Sequence, residues 1–276
     1  MGIRENGKQG ESMGENTIGD IFEEIIADYA KEYSLTDIIL PQYILSDDLT
    51  KSYLEIRPQD ASIIECNKED LNRFNGYLVP PNEVEGTFTV IINSTVLLDN
   101  IKNKKMDWVG TIVHETTHAQ DFAKFAKILK VKNYEELHSA DTYDMFSLWT
   151  EINARAKGYY FVRKYTQGEF LDSEEALNHT IKVEIPYQHQ LLFENYHDTQ
   201  NGNEQTYLFA QYIGRLVTLQ KIHPKQFNDE WIYKHFAGCP WAADWFMFFK
   251  KHNSLEYASK HFDEMKTILT QNFTFL

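Results

Sequence analysis

Residues Asp107 to Leu129 read DWVGTIVHETTHAQDFAKFAKIL and contain the pattern His-Glu-x-x-His at positions 114 to 118. Apolar residues recur here at steps of three and four without an interrupting proline, which predicts an α-helix with Asp107 as its N-cap: Trp108, Ile112, Ala119, Phe122, Ala126 and Leu129. On that helix His114 and His118 lie one turn apart on the same face. Both imidazoles can therefore bind one metal ion, with Glu115 beside them to accept a proton.

A catalytic zinc site uses three protein ligands and leaves a fourth position for water. Glu151 is the leading candidate for the third ligand, because it lies in a second helix-like segment with many apolar and aromatic residues. A carboxylate buried there is costly unless it is paired or bound to metal. An ion pair with Arg155, or an exposed position, is the alternative for Glu151. Asp141 and Asp144, earlier in the same segment, are the reserve candidates.

Asp121 also lies on the motif face, but it follows His114 by seven residues. That spacing corresponds to about 10 Å along a straight helix, which is too far for one ion to bind both histidines and Asp121. Asp121 is therefore either a hydrogen-bond acceptor near His118 or a solvated carboxylate. Asp121 and Lys124 stand where the metzincin pattern requires glycine and histidine, so that class is excluded.

The segment from residue 86 to residue 160 resembles the gluzincins, the zinc peptidases with a glutamate ligand. The strand-like run GTFTVIIN (residues 86–93), the motif helix and the Glu151-x-Asn153-Ala154 sequence are similar to the ImmA/IrrE-like peptidases. Thr116 and Thr117 depart from the small or apolar pair that is usual in that group. The resemblance implies a zincin-like fold, a glutamate zinc ligand at Glu151 and a peptide or protein substrate.

In zincins, an edge strand beside the motif helix commonly pairs with an extended peptide. Thr87 to Asn93 is the clearest strand in the sequence, because its residues alternate and are rich in β-branched types. We therefore expect one of two roles for this run. It is the substrate-binding edge strand, which would bind by β-augmentation, or it is an ordinary core strand.

The composition restricts the possible classes of protein. A content of 42% apolar and 14% aromatic residues over 276 positions predicts a large folded core. A net charge of −14 argues against nucleic-acid binding. The sequence has no apolar stretch of the length that a membrane helix needs. Cys66 and Cys239 are far apart and predict two free thiols rather than a disulfide, which favours a cytoplasmic protein.

The expected fold class is α+β and zincin-like. A small mixed β-sheet packs on the HExxH helix and is followed by a mostly helical C-terminal part. We expect a disordered, polar tail over residues 1–16 that is not a signal peptide, then a single catalytic domain over 17–276 with its α+β part at 17–130 and its helical part at 131–276. Expected helices are 17–33, 173–197 with a kink at Pro186, 202–221, 240–251 and 254–272. Expected short strands are 38–40, 42–45 and 61–65, and residues 66–86 are expected to be irregular.

These patterns predict a metallopeptidase that binds Zn²⁺ through His114, His118 and Glu151 and uses Glu115 as the general base. The alternative is a zinc-binding regulatory or interaction protein with the same fold and little hydrolysis. A third possibility is a structural helix without metal. The sequence does not single out the group that stabilises the oxyanion, and each candidate is expected to be structural: Tyr159, Tyr160, His189, His197 and His223.

Overall fold

The computed structural model describes residues 4–5, 18–62, 64, 70–198 and 202–271. The chain divides into two compact units, Met1–Glu136 and Leu137–Leu276. The first unit contains all the described strands, and the second contains only helices and turns within its described residues. The expected α+β class is confirmed.

The first unit begins with elements that alternate between strand and helix and ends with the motif helix. Its elements are β1 (Arg4–Glu5), α1 (Ile18–Glu32), β2 (Gln42–Ser46), α2 (Leu49–Ile56), β3 (Gly76–Val79), β4 (Thr89–Asn93), α3 (Ser94–Lys102) and α4 (Asp107–Leu129). A short helix, α5 (Tyr134–His138), follows.

The second unit is built on two long helices and several shorter ones. Its elements are α6 (Tyr143–Gln167), α7 (Glu174–His179), a π-helical turn (Thr180–Glu184), α8 (Ile185–Asp198), α9 (Gly202–Ile222), α10 (Asp229–His235), α11 (Pro240–Lys251), α12 (Leu255–Ala258) and α13 (Phe262–Thr270). The π turn lies directly before Pro186, where the sequence predicts a kink. Proline has no N–H to donate, so the regular helical hydrogen-bond ladder is interrupted at this point.

The sheet is small and mixed, with the strand order β1-β2-β4-β3. β2 pairs in parallel with β1 and with β4, whereas β3 pairs antiparallel to β4 with Gly76 opposite Ile92. β4 is therefore an interior strand, and Val90, Ile91 and Ile92 are buried. The prediction that the run Thr87–Asn93 forms the edge strand is wrong, and its reading as an ordinary core strand is right. The edge strand is β3.

Three other local predictions differ from the structure. The segment 66–86 contains β3 and a 3₁₀ turn at Leu71–Arg73, so its described part is not irregular throughout. Residues 38–40 form no strand, and residues 61, 62 and 64 are helical rather than extended. Short runs of this kind carry too few periods to separate strand from helix. The expected tail, residues 1–16, lies outside the described residues except for β1. Cys66 also lies outside them, and Cys239 is a free cysteine.

The motif helix α4 is buried along almost its whole length. Twelve of its residues are buried, and they lie on several faces rather than on one stripe. Its N-cap is Met106, not Asp107 as the sequence suggests, and Asp107 is the first helical residue. A carboxylate in the first turn still interacts favourably with the partial positive charge of the helix N-terminus.

In the second unit, α6 and α9 approach each other closely. A Cβ atom at Gly214 would lie 2.7 Å from the Cβ of Arg155 and 2.8 Å from the carbonyl oxygen of Ile152. Only glycine allows the two backbones to pack at this distance. One turn further along α9, the Thr218 hydroxyl donates a hydrogen bond of 2.6 Å to the carbonyl oxygen of Ala156. These contacts fix the segment of α6 that carries Glu151.

A histidine in α10 is held in a neutral form by its surroundings. The Nε2 atom of His235 lies 2.6 Å from the Tyr212 hydroxyl, and its ring stacks on Trp231 at 4.6 Å. Burial, with a smaller effect from His189, lowers the pKa of His235 to about 4. The unfolded chain therefore binds a proton at this residue at a higher pH than the folded chain does.

The stability of the protein should fall as the pH drops from about 6.5 towards 4, because His235 takes up its proton more readily in the unfolded state. The part due to His235 is on the order of 2 kcal/mol once solvent screening is allowed for. Urea unfolding at pH 7 and pH 4.5 measures it, and His235→Gln should lose less stability between the two pH values than wild type. His179→Gln, at an exposed histidine, should behave as wild type. Equal losses in His235→Gln and wild type would refute the assignment.

Candidate metal centre

Helix α4 brings the two motif histidines together. The Nε2 atoms of His114 and His118 are 3.0 Å apart, and the rings meet edge to face with centroids 4.5 Å apart. Two neutral imidazoles that direct lone pairs at each other over this distance repel unless a proton or a cation lies between them. Zinc binds histidine nitrogen at about 2.0–2.1 Å, so one ion can contact both Nε2 atoms.

Glu151 in α6 adds a third possible ligand. His114, His118 and Glu151 each offer one ligand atom, and these atoms all lie within 4.8 Å of one another. Glu151 is 4% exposed, as expected for a carboxylate that is bound or paired. Two imidazoles and a carboxylate are a donor set that zinc accepts, and three protein ligands leave a fourth position for water. The residues present therefore fit a divalent zinc ion.

The alternative partner predicted for Glu151 is also close. Nη2 of Arg155 lies 3.6 Å from Oε1 of Glu151, one helical turn further along α6. Glu151 is almost fully buried, whereas the Arg155 side chain is 29% exposed. A carboxylate has two oxygens, so an ion pair of this length is compatible with a metal ligand at the same residue.

The other acidic candidates are placed differently. Asp141 and Asp144 are both exposed, and neither belongs to a potential ligand group among the described residues. Asp121 is 5% exposed, so its reading as a solvated carboxylate is wrong. Burial raises the pKa of Tyr29, and the charge of Asp121 adds to that effect, which places Asp121 in the electrostatic surroundings of Tyr29.

Glu115 is 8% exposed and lies beside the first residue of β3. A Cβ atom at Gly76 would lie 3.5 Å from Cγ of Glu115 and 2.7 Å from Cγ2 of Thr111. Glycine at position 76 thus lets the edge strand approach the motif helix at the level of Glu115. The sequence reasoning missed β3. Its signal was faint, a short Tyr-Leu-Val run that ends at Pro80 and Pro81.

The two threonines inside the motif are completely buried and face the core of the first unit. The Thr116 hydroxyl donates to the Ile112 carbonyl at 2.6 Å, so the Tyr43 hydroxyl, 2.5 Å away, is the donor in the other bond. Thr117 bonds in the same way to the Val113 carbonyl, at 2.8 Å.

The Thr117 hydroxyl also forms a hydrogen bond of 3.1 Å with Tyr29. Through Tyr29 and Tyr43, the threonine pair ties α1 and β2 to the motif helix. This explains the departure from a small or apolar pair, because two buried tyrosine hydroxyls need hydrogen-bond partners here.

Gln120 fixes the chain that leads into β2. Its side-chain carbonyl accepts from the Ile39 N–H at 2.8 Å, and its amide donates to the Ile39 carbonyl at 2.6 Å. The Gln120 side chain therefore takes the place of a neighbouring strand for the backbone of Ile39. Residues 38–40, which the sequence predicts as a strand, do not join the sheet.

The residues considered for oxyanion stabilisation make other contacts within the second unit. The Tyr159 hydroxyl donates to Glu184 at 2.7 Å, and the Lys221 ammonium lies 3.8 Å from the centre of the Tyr160 ring. His223 is buried against Phe227, and His189 lies near His235. The side chain of His197 lies outside the described residues. The expectation that these residues are structural stays a prediction.

Comparison of the chain with protein-family models, with curated proteins and with solved structures gave no match. Within the described residues, no helix combines the length and the apolar character that crossing a membrane requires. The functional argument therefore rests on the chemistry and geometry of the site.

The close approach of β3 to α4 predicts that Gly76→Ala destabilises the protein. The added methyl group overlaps Thr111, which lies in a helix and cannot move far, and the cost is on the order of 1–2 kcal/mol. Thr111→Ser removes the overlapping methyl group and keeps the hydroxyl that donates to the Asp107 carbonyl. The free energy of unfolding from urea titration should therefore recover in the double variant. If Thr111→Ser adds its own loss to that of Gly76→Ala, the contact is not the cause.

Proposed function

We propose that this protein is a zinc-dependent metallopeptidase of the gluzincin type, similar to the ImmA/IrrE-like group, that hydrolyses peptide bonds. The observation that carries the proposal is the set of ligand atoms from His114, His118 and Glu151 within 4.8 Å of one another, with Glu115 next to His114 in the same helix. A helix that only binds a metal ion needs no more than the ligand side chains. A buried carboxylate beside them is the additional feature that hydrolysis requires.

Zinc bound to this set would act as a Lewis acid that makes water a stronger nucleophile and polarises the carbonyl of the scissile bond. Glu115 accepts the proton of the attacking water and then delivers it to the amine that leaves. Its position suits that role, because β3 covers it and limits the water around it. The hydrogen bonds of Tyr43 with Thr116 and of Tyr29 with Thr117 hold the motif helix against β2 and α1.

The edge strand β3 supports binding of an extended peptide. Within the described residues β3 pairs with β4 on one side, and no strand pairs with its other side. An extended substrate that pairs with β3 would use main-chain hydrogen bonds for affinity, and its alternating side chains would give selectivity. Because Gly76 lies next to Glu115, a peptide on this strand would pass close to the general base.

A second candidate function is a zinc-binding regulatory protein with little hydrolysis. The pair between Glu151 and Arg155 favours it, because a guanidinium beside a ligand carboxylate reduces the negative charge that the carboxylate offers to a metal. Activity of the Glu115 variant distinguishes the two functions.

The ligand assignment predicts the zinc content of purified protein. Wild type should retain about one zinc per chain in this centre, and Glu151→Gln should lose most of it at a limiting zinc concentration. Asp144→Asn is the matched control, because Asp144 lies on the same helix, is exposed and is not part of the ligand set. Mass spectrometry for metals after dialysis against dilute chelator measures both. Full retention of zinc in Glu151→Gln would show that Glu151 is not a ligand.

The peptidase mechanism predicts that Glu115→Gln keeps zinc and loses about 10²- to 10⁴-fold in kcat, because only proton transfer is removed. A mixture of fluorogenic peptides provides the assay, with kcat measured at saturating substrate. The metal content of the variant is the control for an intact site. A variant that binds zinc but is as active in every assay as wild type would refute the role of Glu115, and wild type that binds zinc but cleaves no peptide would favour the regulatory function.

A further inference from the structure

We propose that His252, His261 and Glu264 form a second binding site for a divalent transition-metal ion, separate from the centre on α4. These residues also offer one ligand atom each, all within 4.8 Å of one another. None of them belongs to the set of His114, His118 and Glu151, so the proposal does not depend on peptidase activity.

His252 is the anchor of this second site. It follows the last residue of α11 and is 5% exposed, and its Nε2 atom is buried without a hydrogen-bond partner. The nearest acidic atom is Oε2 of Glu264 at 3.7 Å, which is too long for a hydrogen bond. A buried imidazole nitrogen in this state is costly, and a metal ion is one of the few partners that would satisfy it.

The orientation of His252 is fixed before any ligand binds. Its N–H donates to the Phe248 carbonyl at 2.9 Å, and its own carbonyl accepts from the Trp149 indole at 3.1 Å. Its ring packs on Phe248 with centroids 4.8 Å apart. Little conformational entropy would therefore be lost at this ligand when an ion binds.

The other two ligands come from the start of α13, one turn apart. His261 is the N-cap of this helix, and its side chain makes no capping hydrogen bond, so it remains available. Its ring stacks on that of His252 at 4.3 Å, and its Nδ1 lies 4.0 Å from the same Oε2 atom of Glu264. One carboxylate oxygen thus faces two imidazole nitrogens, and it forms a normal hydrogen bond with neither.

These distances suit an ion more than a direct contact. Ligand atoms that are each about 2.1 Å from one ion lie about 3.0–4.2 Å from one another, depending on the angle between the bonds. The separations of 3.7 Å and 4.0 Å fall in that range. Two imidazoles with a carboxylate favour zinc, nickel, cobalt or copper over calcium and magnesium, which prefer oxygen.

Lys251 competes for Glu264. Nζ of Lys251 lies 3.6 Å from Oε1 of Glu264, but the lysine side chain is 65% exposed, so the pair is weak. It also uses the other oxygen of Glu264. The arrangement therefore leaves Oε2 directed at the two histidines.

Equilibrium dialysis of the full chain against zinc chloride over a range of concentrations tests the proposal. Wild type should bind one zinc per chain more than His261→Ala, and Glu264→Gln should bind this extra zinc at least about tenfold more weakly. Both residues are exposed, so the substitutions should not disturb folding. His179→Ala is the matched control, because His179 also lies near a carboxylate, 3.8 Å from Glu184, but belongs to no potential ligand group among the described residues. It should bind zinc as wild type does.

The same variants are then compared by thermal unfolding. Zinc should raise the Tm of wild type and His179→Ala by more than that of His261→Ala, since the ion joins the end of α11 to the start of α13 only in the folded chain. Equal zinc stoichiometry and affinity in wild type and His261→Ala would overturn the proposal. So would an extra zinc that binds only at about millimolar concentration. The residues of the α4 centre are the same in wild type and in all these variants. If that centre binds no zinc, the zinc content falls equally in every protein, so failure of the proposed peptidase function cannot be mistaken for either outcome.

Discussion

The structure of the first unit depends on burying a helix that is rich in polar residues. Helix α4 is covered on almost every side, yet it carries Thr116, Thr117, Gln120, Asp121 and the motif residues. Buried polar groups are tolerated only when they have partners. The threonine hydroxyls donate to carbonyl oxygens of their own helix and also form hydrogen bonds with the hydroxyls of Tyr43 and Tyr29. The glutamine side chain bonds to the Ile39 backbone. His114 and His118 lie on a different face of α4 from Thr116.

The same requirement explains how the candidate ligands are held in place. A metal site works only if its ligands are positioned to within a few tenths of an ångström, and this precision comes from the residues behind them. Behind the histidines are the tyrosine–threonine pairs. Behind Glu151 is the contact of α6 with α9, where Gly214 and Thr218 bring the two backbones close. The ligands therefore sit on rigid elements rather than on loops.

The two groups of metal-binding residues have related donors but different surroundings. The centre on α4 has a buried carboxylate, Glu115, in addition to its ligands, and an edge strand beside that carboxylate. The group at His252 lies at the junction of two helices, and two of its three members are exposed. Chemistry on a bound substrate needs a base and a binding surface, and the first group has both features that the proposed peptidase would use. The second suits stabilisation or regulation by metal availability, because it joins two helix ends.

The sequence alone determined the elements whose signal is long or chemically specific. Helix α1, the motif helix and the long helices of the second unit follow from sustained apolar periodicity, and the spacing of His114, Glu115 and His118 identifies the ligand face. Glu151 could be chosen because an acidic residue in an apolar helix needs a partner. Tertiary structure decided what depends on contacts distant in sequence. It placed β3 at the edge of the sheet and β4 in its interior, gave Thr116 and Thr117 their tyrosine partners, and brought His252 to His261 and Glu264. None of these has a local signal, since pairing order and side-chain packing are set by which segments meet once the chain has folded.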